Sequence, residues 1–220
     1  MHPSPLLFKE PLSTGKMLRA KVHVRKHFFK VITSALSVMV LFTIFSGNAL
    51  AYDPGAAAAY ADQYVSPYNS AWPSYGTDCT NFLSQAMNAG GDGMTGDWHA
   101  QNYPIIGWDV TLAWDNAQSN FNYEIQRGAS VVRKVNASDT HYFAHTNSIF
   151  PGDMLYFDWG QGEGLSHAAI QVYAGPSHDD SNWIGDLSDQ HTNDRWHVSW
   201  NHIEVNADWG TTTIWEVSHN

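Results

Sequence analysis

From residue 54 to residue 91 the apolar positions recur at helical spacing. Pro54-Gly55 opens the helix-forming run Ala56-Ala-Ala-Ala-Tyr60-Ala-Asp-Gln-Tyr64-Val65, which Pro67 ends. After a loop holding Pro73 and Gly76, Phe82, Leu83, Ala86 and Met87 form one apolar stripe. They predict a second helix with Asp78 at its N-cap and Gly90-Gly91 at its stop. The stretch from Asp92 to Trp108 reads as loop. Trp114, Ala117, Phe121 and Ile125 predict a third helix over 112–125. Past the turn Phe150-Pro-Gly-Asp153 the pattern shifts to strands, at 154–159, 165–174, 183–190 and 211–217. This order predicts an α+β fold, with N-terminal helices packed on a C-terminal antiparallel sheet. The chain shows no internal repeat and no low-complexity tract.

The first fifty-one residues have a different character. Basic residues scattered from Lys9 to Lys30 precede an uncharged run, Val31 to Phe45, and then the small-x-small triplet Ala49-Leu50-Ala51. This is the order of a secretory signal peptide, residues 1–51, cleaved after Ala51. The uncharged run is fifteen residues long, short of the roughly 20 that span a bilayer as a helix. No cysteine lies near the cut to carry a lipid. The expectation is a secreted or cell-wall-associated protein without a stable membrane anchor, its single domain formed by residues 52–220. Met17 offers an alternative start.

Charge follows the same division. Residues 1–51 hold seven of the 11 basic residues and one of the 21 acids, so the remainder carries four basic and twenty acidic residues, a formal −16. A body so acidic repels phosphate backbones, which excludes nucleic acid as a partner, and it is equally unsuited to an anionic membrane surface.

One cysteine, Cys79, occurs in the whole chain. Exported proteins usually hold cysteines in pairs, so a thiol with no intrachain partner points to an intermolecular bridge, a reactive group or a small buried side chain. Cys79 sits in the first turn of the second predicted helix, beside backbone N–H groups that lack intrahelical partners. A helix end contributes at most about 2 kcal/mol to a nearby anion, whereas bringing a thiol to a pKa near 4 takes about 6 kcal/mol. A histidine must supply the rest. Nine of the 12 histidines follow residue 51, and His167 is the best placed, opening the strand Ser166-His-Ala-Ala-Ile-Gln-Val-Tyr173. Alternation puts Ala168, Ile170 and Val172 on one face and His167, Ala169, Gln171 and Tyr173 on the other, where small Ala169 leaves room for a helix. A third group should orient the imidazole. On the next strand Trp183, Leu187, Asp189 and His191 share one parity, which makes His191 and Asp189 candidates, with Asn193 or Asp194 available if the strand ends early.

Asp78-Cys-Thr-Asn-Phe-Leu-Ser-Gln85, Ala89-Gly-Gly91, Trp98, Trp114-Asp-Asn116, Gly152-Asp-Met-Leu-Tyr-Phe-Asp158, Ser166-His-Ala-Ala-Ile170 and His191-Thr192 together resemble the bacterial putative amidase domain family. The similarity covers most of residues 52–195. That family looks related to the NlpC/P60 and CHAP peptidases, so the resemblance implies a papain-like fold. It also implies amide hydrolysis, with Cys79 as nucleophile, His167 as base and His191 as orienter, and bacterial peptidoglycan peptide as substrate. Thr80-Asn81 stands where NlpC/P60 members carry Ser-Gly, so their substrate rules do not transfer directly. In this scheme the Cys79 N–H is a candidate oxyanion donor and Tyr75 a candidate second donor. Asp78 either caps the helix or holds a substrate amine. The alternative is a catalytically silent cell-surface or glycan-binding module that keeps the same shell.

His141-Tyr-Phe-Ala-His145 spaces two imidazoles as a helical zinc pair would, but it lacks the glutamate of the His-Glu-x-x-His pattern. Asp179-Asp180 lacks EF-hand spacing and reads as a solvated face. No metal and no cofactor is expected. All ten tryptophans follow residue 51, as core or cleft lining. Nothing in the sequence sets an oligomeric state.

Overall fold

A computed structural model describes residues 51–140 and 145–219. The predicted signal segment up to residue 50, and His141 of the spaced histidine pair, lie outside the described residues. Helix α1 (Pro54–Tyr64) is capped by Asp53, whose carboxylate accepts the Ala56 N–H at 3.1 Å. Helix α2 (Cys79–Ala89) is buried along nearly its whole length. Its stripe of Phe82, Leu83, Ala86 and Met87 packs against Ala57, Ala58 and Ala61 of α1 and against Met154, Tyr156, Ala168 and Ile170. Phe82, Leu83 and Met87 each contribute about 1.5–3 kcal/mol by that burial.

The rest of α2 is polar, and its buried groups find partners. Asn81 accepts the Trp114 indole N–H at 2.8 Å and donates to the Pro73 carbonyl at 2.8 Å. Ser84 donates to the Trp114 carbonyl at 2.8 Å and accepts the Trp98 indole N–H at 3.1 Å, while the Tyr60 hydroxyl donates to Gln85 at 2.8 Å. The Thr-Asn-Phe-Leu-Ser-Gln block is therefore largely a device for burying a helix on every side, since unpaired polar groups there would be costly.

The helix predicted over 112–125 is two helices, α3 (Leu112–Asp115) and α4 (Ala117–Arg127). Asn116 between them is extended, and its side chain accepts the Ser119 N–H at 3.0 Å, so a capping residue restarts the helix in a new direction. The region read as loop contains a hairpin, β1 (Ala100–Tyr103) paired with β2 (Gly107–Val110).

The main sheet has six strands: β3 (Ser130–Asn136), β4 (Met154–Asp158), β5 (His167–Pro176), β6 (Ile184–Gln190), β7 (Arg195–Ser199) and β8 (Thr213–Ser218). They lie in the order β3-β8-β4-β5-β6-β7, every neighbouring pair antiparallel. The fold is thus α+β, as expected. Strands β3 and β7, which the apolar pattern does not predict, are the two sheet edges. One face of the sheet carries the helices. The other is covered by Ala137, Ile149 and Trp200 over Leu155, Phe157, Ala169 and Ile214. Gly152, at φ +95°, lets the turn before β4 close on α1, since a Cβ there would fall 2.3 Å from Pro54 Cβ. Among the described residues no helix is long and apolar enough to cross a membrane.

Candidate active site

The start of β5 and the N-terminus of α2 meet at one cleft, which His167 and Cys79 both line. The helix packs on the Ala168, Ile170 and Val172 face of β5, whereas Ala169 belongs to the core beneath the opposite face. The expectation that Ala169 makes room for the helix is therefore corrected: Ala168 does so. His167, on the parity opposite to the helix, is the first residue of β5, so a thiol from the helix side reaches its ring past the strand end.

Cys79 is a free, buried cysteine. Burial pushes its thiol up, but a hydrogen bond and the charge of His167, helped by the Ala168 backbone and the Thr80 hydroxyl, outweigh burial and bring it down to about 7. Close to half the thiol is then ionised at neutral pH, against a few per cent for an ordinary cysteine. His167 and these two lesser hydrogen bonds reach this value without the far deeper shift to about 4 considered from sequence.

The group bound to the other nitrogen of His167 is Gln190, whose Oε1 lies 2.8 Å from His167 Nε2. The resemblance implies His191 in that position, and the structure puts His191 elsewhere. His191 Nδ1 lies 2.6 Å from Asp78 Oδ2, and its Nε2 lies 3.0 Å from the Tyr64 carbonyl oxygen. Both nitrogens face acceptors. The ring is stacked between Tyr68 and Phe82, at centroid distances of 3.7 and 3.9 Å. The other candidates are engaged as well. Asp189 accepts the His197 N–H at 2.7 Å, Asp194 accepts the Tyr68 hydroxyl at 2.6 Å, and Asn193 occupies a left-handed turn position at φ +60°.

Asp78 stands at the N-cap position of α2 yet makes no capping hydrogen bond through its side chain. Its Oδ1 accepts the Tyr75 backbone N–H at 2.8 Å and the Asn81 amide at 2.9 Å, and its own N–H donates to Thr192 Oγ1 at 2.7 Å. With His191 on Oδ2, this buried carboxylate staples the β6–β7 turn to the start of α2. Neither role expected for Asp78, helix cap or amine holder, fits, because both oxygens are committed and the side chain is almost wholly enclosed. Tyr75 has its backbone N–H spent on Asp78 and its side chain partly exposed.

A solvent-open cleft of about 280 Å³ runs past these groups, lined among others by Cys79, His167, Gln190, Trp159, Arg195 and Asp208. Tyr75 is not part of that lining. His202 also faces it, buried at φ +56° with its ring 5.8 Å from that of His167. Burial, and then the charges of His167 and Arg195, hold His202 well below the usual imidazole range, so it is neutral. Of the spaced histidine pair, His145 lies 3.2 Å from Asp186. Asp179 accepts Arg195 at 2.9 Å, and Asp180 accepts the Asn182 amide at 2.8 Å.

Fold and site together define an α+β protein with a cysteine–histidine pair at an open, polar cleft. The chain belongs to the putative amidase domain family, whose profile matches residues 51–215. The chain is 29% identical over 134 residues to the uncharacterized protein YhbB of Bacillus subtilis (strain 168), covering 57% of this chain and 39% of YhbB. It is 29% identical over 127 residues to the uncharacterized protein YjcM of the same organism, covering 57% of this chain and 27% of YjcM. The chain therefore spans well under half the length of these relatives. No solved structure matches.

Proposed function

We propose that the protein is a secreted, cysteine-dependent amidase of papain-like arrangement that hydrolyses amide bonds of bacterial cell-wall peptide. The observation that carries this reading is the Cys79 thiol, buried at a helix start against His167, brought to about 7 and open to a cleft. The thiolate attacks the carbonyl carbon, and its electron pair forms the C–S bond while the carbonyl oxygen takes the negative charge. First-turn N–H groups of α2, that of Cys79 first among them, are suited to hold that oxygen. Protonated His167 gives its proton to the departing amine as the C–N bond breaks, leaving a thioester. Water then attacks, His167 takes its proton, and the acid product leaves with the thiol restored. Gln190 keeps the imidazole turned toward the sulfur throughout. The acidic surface is no obstacle to a neutral peptide bond.

Sacculi incubated with purified protein should release fragments whose masses show one hydrolysed amide. Cys79→Ser and His167→Ala should each abolish release while circular dichroism stays that of the parent. Normal turnover by Cys79→Ala would overturn the assignment.

A further inference from the structure

Asp189, next to Gln190 in β6, is 0% exposed. Its Oδ1 accepts the His197 N–H, while its Oδ2 is buried with no hydrogen-bond partner. A bare carboxylate oxygen in the interior calls for a proton or a cation. Two further ligand groups stand beside it. One ligand atom from each of Asp62, Asp189 and His197 lies within 4.8 Å of the other two, and His197 Nε2 is 2.7 Å from Asp62 Oδ1. The imidazole is held in place by stacking on Tyr173 and Trp196, at 5.2 and 4.1 Å, and by a backbone at φ +53°. A left-handed conformation in a non-glycine residue is retained only where its surroundings enforce it.

None of the four basic residues after residue 51 serves this acidic pair. Arg127 is 2.7 Å from Asp92, Arg133 is 3.3 Å from Glu216, Lys134 lies over Trp215, and Arg195 is 2.9 Å from Asp179. Asp62 and Asp189 therefore stand together with His197 beside them, and a bound cation would satisfy the bare carboxylate oxygen.

We propose that Asp62, Asp189 and His197 bind one divalent transition-metal ion of the zinc type, with water completing its coordination on the exposed side of Asp62. An imidazole beside two carboxylates suits zinc or manganese better than calcium or magnesium, which favour all-oxygen shells. Ligand atoms around tetrahedral zinc stand about 3.3 Å apart. Asp62, with a side chain 45% exposed, makes the small adjustment by turning its Oδ1 from the Trp196 indole N–H, 3.0 Å away. The ion ties α1 to β6 and β7, one residue from the glutamine that holds His167. The cluster of Asp92, Glu124 and His219 differs in that Arg127 already supplies its cation.

The test uses Cys79→Ala protein, so that the thiol takes no metal. After chelator treatment it is titrated with Zn²⁺ alone by calorimetry. One ion per chain is expected, bound at least tenfold more weakly after Asp62→Ala or His197→Gln and unchanged after Asp92→Asn. Asp62→Ala sits at the exposed end of the site and keeps the test open should Asp189→Asn not fold. Zinc should also raise the Tm of the Cys79→Ala protein and raise that of its Asp62→Ala derivative by less. Absence of saturable zinc uptake, or equal affinity in Asp62→Ala, would overturn the site, and calcium binding as tight as zinc would overturn the choice of metal.

Discussion

His167 Nε2 faces Gln190 Oε1 at 2.8 Å across the β5–β6 pair. An amide oxygen only accepts, so it holds the proton on Nε2 and leaves Nδ1 for the sulfur. Gln190→Ala frees the ring to turn, and the expected result is a fall in kcat of about 100-fold with little change in KM. Gln190→Glu keeps an acceptor oxygen and should retain more activity than Gln190→Ala. Initial rates of amine release from sacculi check both. An equal fall in His191→Gln without loss of stability would return the orienting position to His191.

The ionisation of Cys79 is directly measurable. Thiolate alkylates and thiol does not, so the iodoacetamide rate should rise through a midpoint near pH 7. In His167→Ala the stabilising hydrogen bond and charge are gone while burial remains, and burial alone raises the thiol. The midpoint should then move above 9, the ordinary value for this group. A midpoint unchanged in His167→Ala would mean that the imidazole does not set the ionisation.

His191 and Asp78 are each about 1% exposed and stand 2.6 Å apart, so removing one leaves the other's polar group buried without its partner. Such a loss costs about 1–3 kcal/mol. His191→Gln should lower the urea midpoint accordingly, while the folded fraction loses far less activity than Gln190→Ala does. Removing both partners, in Asp78→Asn with His191→Gln, should cost less than the sum of the two, because the shared contact is lost only once. Strict additivity would argue against the pair.

Much of this was legible along the chain, and the failures share a cause. The helical stripe at Phe82, Leu83, Ala86 and Met87 and the alternation in β4 and β5 are local patterns, so the helices and strands follow from them, while the pairing of α2 with β5 comes from the thiol's need for an imidazole. Alternation within β6 separates Gln190 from Asp189 and His191, but it does not say which set faces His167. Cross-strand register decides that. Ile170 opposes Asp189, and Gln171 opposes Ser188, which pairs odd positions of β5 with even positions of β6 and so puts Gln190 on the His167 face. Register is a long-range property. The edge strands β3 and β7 escaped for a different reason: much of each is open to solvent, so neither shows an apolar run. Asn116 shows local chemistry overruling periodicity, because a side chain that caps competes with the helix passing through it.

His219 supplies the last prediction, a pH dependence of stability. Its Nε2 is 3.0 Å from Glu124 Oε2 and 3.6 Å from Asp92 Oδ2. Burial lowers this imidazole, but the hydrogen bond and charge of Glu124, with Asp92, raise it by more, so it ends above its ordinary value. A group that binds its proton more tightly when folded stabilises the fold fully below its unfolded pKa of about 6.5. That contribution disappears as pH rises through the raised folded value. Unfolding free energies from urea titration should therefore fall more steeply from pH 6 to pH 8.5 in the parent than in His219→Gln. The difference between the two proteins should be largest at the acid end and vanish at the alkaline end, while Arg127, 2.7 Å from Asp92, stays charged in both and cancels. Parallel curves would mean that the histidine carries no charge into the folded state.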